Sequence, residues 1–208
     1  MNDVNRINDH NKRICQECRI FCLAIVDNNK RMNYNNLSEE SKMKLIRKKF
    51  EVQSEGQHPT FHDVTEKVKE LVAESGIQNG LCVIYSHHTT CSVMIQECSH
   101  DKTYFGLEYL QQDLCNLMEK LIPTCRVENQ YMHPGPKHVD FGMSVGEPGP
   151  WTSLNTDGHL RSSIFGRSET IIIEDGKPDL GEFGHTYFID WDQVRARKRT
   201  VKIAILGE

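Results

Sequence analysis

Leu81-Cys82-Val83-Ile84-Tyr85-Ser86-His87-His88-Thr89-Thr90-Cys91-Ser92-Val93-Met94-Ile95-Gln96-Glu97 is two short apolar runs separated by a polar hinge. Apolar runs of this length, opened here by Gly80, read as buried strands. The hinge Ser86 to Thr90 then lies at the margin of a core, and Glu97 closes the second strand on a carboxylate. Buried polar groups are costly without partners, so the cluster is either a satisfied internal network or a site. Three histidines further on, His133, His159 and His185, favour a site. Neighbouring strand residues point to opposite faces, so only one of His87 and His88 faces inward.

Upstream, Lys44 to Gln53 alternates and carries Leu45, Ile46, Phe50 and Val52, which predicts a first strand. Gly56 to Thr60 is a turn. Asp63-x-x-Glu66 has the form of a capping box, and Val64, Val68, Leu71 and Val72 follow at helical spacing up to Gly76. His62 reads as a capping or surface histidine. Downstream, Leu107, Leu110, Leu114, Leu117, Met118 and Leu121 share one side of a long helix expected over Asp101 to Leu121, stopped by Pro123. Cys125 to Met132 reads as a strand leading to His133. Pro134 to Pro150, with four prolines and four glycines, reads as a loop anchored by Trp151. Asn155 to His159 reads as a polar turn before a short element, Leu160 to Phe165. Strands follow at Thr170 to Ile173, Thr186 to Trp191 and Thr200 to Leu206, with a hairpin turn at Glu174 to Lys177. Two helices in a strand-dominated chain predict an α+β domain.

A length of 208 residues suits one compact domain with extra segments. The net charge of −4 argues against a nucleic-acid partner, which needs a basic face. The longest apolar stretch, seven residues from Ile20 to Val26, is far short of the roughly 20 that span a bilayer, so no membrane partner is expected. The polar start lacks a signal-peptide core, which implies a reducing, cytoplasmic setting. In that setting most of the eight cysteines, Cys15, Cys18, Cys22, Cys82, Cys91, Cys98, Cys115 and Cys125, lie in apolar patterns and act as small hydrophobes. Residues 1–43 read as a loosely ordered extension. Cys15, Cys18 and Cys22 with His10 suggest a zinc knuckle, but there is no second CxxC pair. An apolar segment, Cys18 to Val26, docking on the body is the better reading.

Three constellations carry chemistry. His88, His133 and His159 are a candidate metal set, because catalytic zinc takes three protein ligands and leaves one position for water. Singly, each histidine is as well explained as a hydrogen-bonded structural residue. Arg195-Ala196-Arg197-Lys198-Arg199, read as strand, puts three arginines on one face, suited to phosphate. The same charges would also guard a sheet edge, or pair with Asp190 and Asp192. Glu97 and Asp113 are carboxylates that could orient imidazoles, hold magnesium or move protons, with a solvated Asp113 as the plain alternative.

The order of these motifs resembles the YjbQ family, often described as secondary thiamine-phosphate synthases. The resemblance runs from about Leu45 to the C-terminus. Its carriers are Phe61-His62-Asp63-Val64-Thr65, His88-Thr89-Thr90 leading to Glu97, Asp113, His133, and His159-Leu160-Arg161-Ser162-Ser163-Ile164-Phe165-Gly166. Ser168-x-x-Ile171-x-Ile173-x-x-Gly176, Leu180-Gly181, Asp192 and Arg195-x-Arg197 complete it. Two departures stand out. Gly181-Glu182-Phe183-Gly184 replaces the family's Gly-Thr-Trp-Gln, leaving His185 beside the missing Gln. The Pro- and Gly-rich segment before His159 is also longer than usual and lies outside the resemblance.

The resemblance implies an α+β fold with a mixed, barrel-like sheet carrying two main helices, assembled as a homotrimer. It implies a catalytic set of His88, Glu97, His133 and His159, at or near a subunit boundary. Hydroxymethylpyrimidine diphosphate and thiazole phosphate would give thiamine phosphate and diphosphate. Thr89, Thr90, Arg161, Ser162, Arg195 and Arg197 would contact the phosphorylated substrate. A divalent metal, zinc on His88, His133 and His159 or magnesium on Glu97 or Asp113, is the only cofactor expected, with no organic one. A metal-dependent hydrolase and a non-catalytic phosphometabolite-binding module are the alternatives.

Overall fold

The computed structural model describes residues 43–208, so the zinc-knuckle and docking-segment expectations for the N-terminal extension lie outside the described residues. The elements are β1 (Lys44–Gln53), β2 (Thr60–Asp63), α1 (Thr65–Ser75), β3 (Gly80–Ser86), β4 (Cys91–Glu97), α2 (Tyr109–Leu121), α3 (Pro136–Ser144), a 3-10 turn (Pro150–Ser153), α4 (Thr156–Phe165), β5 (Ser168–Glu174), β6 (Lys177–Pro178), β7 (Gly184–Asp190) and β8 (Lys198–Gly207). The strands form two sheets, β1-β8-β3-β5-β6 and β2-β7-β4, and every pairing is antiparallel. Together they make the α+β, barrel-like architecture expected, a curled half-barrel with helices around it. Among the described residues no helix is long and apolar enough to cross a membrane.

The strand alternation works as period-2 logic demands. Arg199, Val201, Ile203 and Ile205 of β8 are buried while Lys198, Lys202 and Leu206 are exposed. Cys82 sits opposite Ile205 on one side and Ile171 on the other, and Ile84 sits opposite Ile203. α1 lays Val68, Leu71 and Val72 on this core, and Gly76 ends it in the left-handed region at φ 69°. β7 divides the interior. Its Phe188 belongs to the first core, while Tyr187 and Ile189, with the following Trp191, belong to a second one closed by Cys115 and Met118 of α2.

Several sequence expectations are corrected. The two strands flanking the hinge, β3 and β4, lie in different sheets, and His87–Thr90 crosses between them. Among the described residues, four helices stand where two were anticipated. α2 begins at Tyr109 instead of Asp101, because Glu108 and Gln111 form a reciprocal capping box there. The box read at Asp63 is not formed: Asp63 accepts the Thr65 N–H at 2.9 Å, but Glu66 turns to Lys69 at 2.9 Å. The strand read over Cys125 to Met132 is a run of turns, tied by the Gln130 side chain to the Arg126 N–H and the Thr124 carbonyl, each at 2.8 Å. The Pro- and Gly-rich loop contains α3, started by Pro136, whose fixed φ suits a first turn. The polar turn at Asn155 to His159 is the start of α4.

Candidate functional site

The hinge between the sheets meets two other segments: the chain leaving β7, Trp191 to Arg197, and the first turn of α4. Trp191 N–H donates to the Thr90 carbonyl at 3.0 Å, and the Ser162 hydroxyl donates to the Cys91 carbonyl at 2.6 Å. Gly158 lets α4 approach, since a Cβ there would lie 3.3 Å from the Trp191 carbonyl oxygen. Sequence-distant polar residues are thereby brought to one end of the half-barrel.

Their foundation is a buried ion-pair network. Arg199, 4% exposed, donates from Nε to Asp190 Oδ2 at 2.6 Å and from Nη2 to Asp190 Oδ1 and Thr90 Oγ1, both at 3.0 Å. Asp192 lies 3.5 Å from Arg199 and 3.5 Å from Arg197, and accepts Asn155 Nδ2 at 3.3 Å. The three arginines expected on one face are thus split. Strand begins only at Lys198, Arg199 is interior, and Arg195 and Arg197 stay partly exposed, both reaching Glu147.

His88 is the inward histidine of its pair. Its Nε2 accepts the Thr200 N–H at 2.9 Å, which fixes the proton on Nδ1. Burial, then the positive charge of Arg199, pushes its pKa down to about 4. The exposed His87 ring lies against it, centroids 4.1 Å apart. His159 and His133 form a separate imidazole pair with centroids 5.4 Å apart. His159 Nδ1 lies 3.3 Å from the Thr89 carbonyl, which can only accept, so Nδ1 carries the proton. The Thr156 hydroxyl donates to the His133 carbonyl at 2.7 Å, leaving its oxygen to accept His133 Nδ1–H at 2.8 Å. Both rings therefore leave Nε2 with a free lone pair. Burial lowers the pKa of both, and each imidazole also feels His138.

His138 is a third member that sequence reasoning missed, its ring 4.5 Å from that of His133. It sits on α3, inside a segment read as loop; Pro136 at a helix start was the available signal. Glu147 and Asn155 were missed for the same reason, each lying in a stretch taken as connection.

Other expected residues are placed differently. Arg161 is 1% exposed and donates to the Ile122 carbonyl at 2.7 Å and to Glu119 at 3.0 Å, with Asp157 3.7 Å away. It braces α4 against the end of α2. Thr90 and Ser162 are likewise buried in internal hydrogen bonds, while Thr89 is exposed and offers its carbonyl to His159. Glu97 is exposed at the far end of β4, opposite Gly184. Six strand steps of about 3.3 Å put it about 20 Å from Cys91. Asp113 is exposed on α2. His185 also lies at that far end, bonded to Asp63 Oδ2 at 2.7 Å. Within one chain, then, the His88–His133–His159 set does not come together as a three-ligand metal centre. Among the described residues no three His, Cys, Asp or Glu side chains are arranged to hold an ion.

A cleft of about 360 Å³ is lined by Gln57, Arg126, Trp151, Asp157, Gln193 and Val194, the last of which precedes Arg195 in the chain. Trp151 is half exposed over it.

Fold and site together define an α+β half-barrel with histidines and arginines carried by the segments that meet at the hinge between its two sheets. The chain belongs to the family described as UPF0047 protein YjbQ-like, which matches residues 48–208. It is 32% identical over 141 residues to the UPF0047 protein MJ1081 of Methanocaldococcus jannaschii, covering 68% of this chain and 82% of that one. With the UPF0047 protein YugU of Bacillus subtilis it shares 26% identity over 141 residues, 68% of this chain and 86% of the relative. Among solved structures, a YbjQ-like protein of unknown function from Sulfolobus solfataricus has a TM-score of 0.60 at 22% identity, covering 80% of this chain and all (100%) of that one. A hypothetical protein from Aeropyrum pernix has a TM-score of 0.57 at 27% identity, covering 78% and 99%.

Proposed function

We propose that the chain is an enzyme acting on a phosphorylated small molecule, with formation of thiamine phosphate as the candidate reaction. One observation carries the reading: Asp192 lies 3.5 Å from the part-exposed Arg197 and accepts Asn155 Nδ2, so the helix α4 that bears His159, with its free Nε2 lone pair, meets the segment that bears Arg195 and Arg197. Guanidinium forks match phosphate oxygens, and neutral imidazole accepts protons near neutral pH. In the candidate reaction the carbon–oxygen bond to diphosphate breaks with its electron pair, and the thiazole nitrogen forms the new carbon–nitrogen bond. Arg195 and Arg197 would hold the departing diphosphate, and His133 or His159 Nε2 would accept a proton or hydrogen bond from the pyrimidine. The cleft under Trp151 offers room for an organic ring, within the size range usual for ligand pockets. A cytoplasmic homotrimer, implied by the resemblance, belongs to the same reading.

The test incubates purified protein with hydroxymethylpyrimidine diphosphate and thiazole phosphate and measures thiamine phosphate. His159→Ala is expected to lower the rate about 100-fold, a usual size for a lost proton-transfer group. A wild-type rate no higher than that of His159→Ala means the named reaction is wrong. A phosphometabolite-binding module without turnover is the second reading, supported by Gly184 standing where the family carries Gln. Binding with no product in the same assay would select it.

A further inference from the structure

We propose that Glu147 is an internal stand-in for a ligand's anionic group, seated on the Arg195–Arg197 fork and displaced when a phosphorylated ligand binds. The inference rests on the anion-binding reading above. A single carboxylate oxygen of Glu147, Oε2, serves both guanidiniums: it is bonded to Arg195 Nη2 and lies 3.7 Å from Arg197 Nη2. The pairing is incomplete. Arg195 Nε is buried with no hydrogen-bond partner, and Arg197 Nε has only the distant Asp192 carboxylate at 3.5 Å. A phosphate brings three oxygens and nearly twice the charge of a carboxylate, so it fills donors that Glu147 leaves empty.

The segment bearing Glu147 is built to let go. No residue of α3 is buried. Gly135 precedes the helix, and Gly146, at φ 92°, lies next to Glu147. Few buried contacts mean a low free energy of local opening. The same segment carries His138 to His133, so release of Glu147 and rearrangement of the imidazole cluster are one movement. A ligand that must first expel a tethered carboxylate binds with its intrinsic affinity reduced by the fraction of open pocket.

The experiment titrates inorganic diphosphate into the full-length wild type, Glu147→Gln and Arg197→Ala by calorimetry. Hydrogen exchange of residues 136–149 in the wild type is followed with and without diphosphate. Glu147→Gln is expected to bind at least about five-fold tighter than wild type, Arg197→Ala to lose binding, and exchange over 136–149 to rise on diphosphate addition. Equal or weaker binding by Glu147→Gln, with Arg197→Ala still defective, overturns the displacement and leaves the anion site standing. Binding absent from wild type and Glu147→Gln alike removes the anion site, and the displacement with it. Should Glu147→Gln fail to fold, the wild-type exchange decides: unchanged exchange in the presence of bound diphosphate overturns the proposal.

Discussion

Asp190→Ala is expected to destabilise the protein by about 3–5 kcal/mol, the usual cost of removing one partner from a buried ion pair. Asp190 is fully buried and accepts two hydrogen bonds from Arg199, at 2.6 Å and 3.0 Å, and one from the Asp192 N–H at 3.1 Å. Without it, the Arg199 guanidinium keeps Asp192 at 3.5 Å as its remaining carboxylate, too long for a good charge-assisted bond. The loss therefore comes from a stranded charge, more than from the value of the pair. That distinction has its own signature. The double variant Asp190→Leu/Arg199→Met should recover much of the stability, because an apolar pair of similar volume carries no desolvation cost. Urea unfolding midpoints with unchanged m-values measure both. A loss below about 1 kcal/mol for Asp190→Ala would mean that the interior charge is reached by water or compensated by rearrangement.

Acidification is expected to weaken the fold between about pH 6.5 and pH 4. His88 is the principal cause, since its pKa falls from 6.5 unfolded to about 4 folded. In that window the unfolded chain binds a proton that the folded chain refuses, so stability falls as pH falls; above it neither state is charged, and below about 4 both are. A shift of this size corresponds to at most about 3 kcal/mol, and solvent screening of a partly exposed ring brings it nearer 1–2 kcal/mol. His133 and His159, also lowered by burial, add in the same direction. His88→Gln keeps an oxygen able to accept the Thr200 N–H and does not titrate. It should flatten part of the pH dependence while holding stability at pH 7.5. Unfolding midpoints at pH 7.5, 5.5 and 4.5 make the comparison. Identical slopes for wild type and variant would show that the ring is protonated without penalty.

What the sequence disclosed follows from what each signal encodes. The two apolar runs around Ser86–Thr90 are short, β-rich and uninterrupted, and both are strands within a residue of expectation. That they lie in different sheets was hidden, because alternation records which face is buried and says nothing about which strand lies alongside. His133 and His159 were found within a set of three histidines because the chemistry of imidazole invites it, but His88 stands apart from them. Glu97 was drawn into the site by proximity in sequence to His88, yet a strand carries its two ends apart. Arg161 reads as a surface ligand-binder by type; its interior position depends on Glu119, Asp157 and the Ile122 carbonyl, contributed by two other segments. His138 and Glu147 were concealed by a composition that announces loop. A nine-residue helix with nothing buried leaves no hydrophobic period to detect.

β8 runs between β1 and β3, pairing Lys44 with Gly207 on one side and Gly80 with Gly207 on the other. A strand inside the larger sheet, second in its order, is thus the last of the described strands along the chain. Contacts this distant along the chain give the domain a high contact order, which slows folding. Until Lys198–Gly207 emerges, β1 and β3 have open hydrogen-bonding edges, and during synthesis those edges are where another chain could pair.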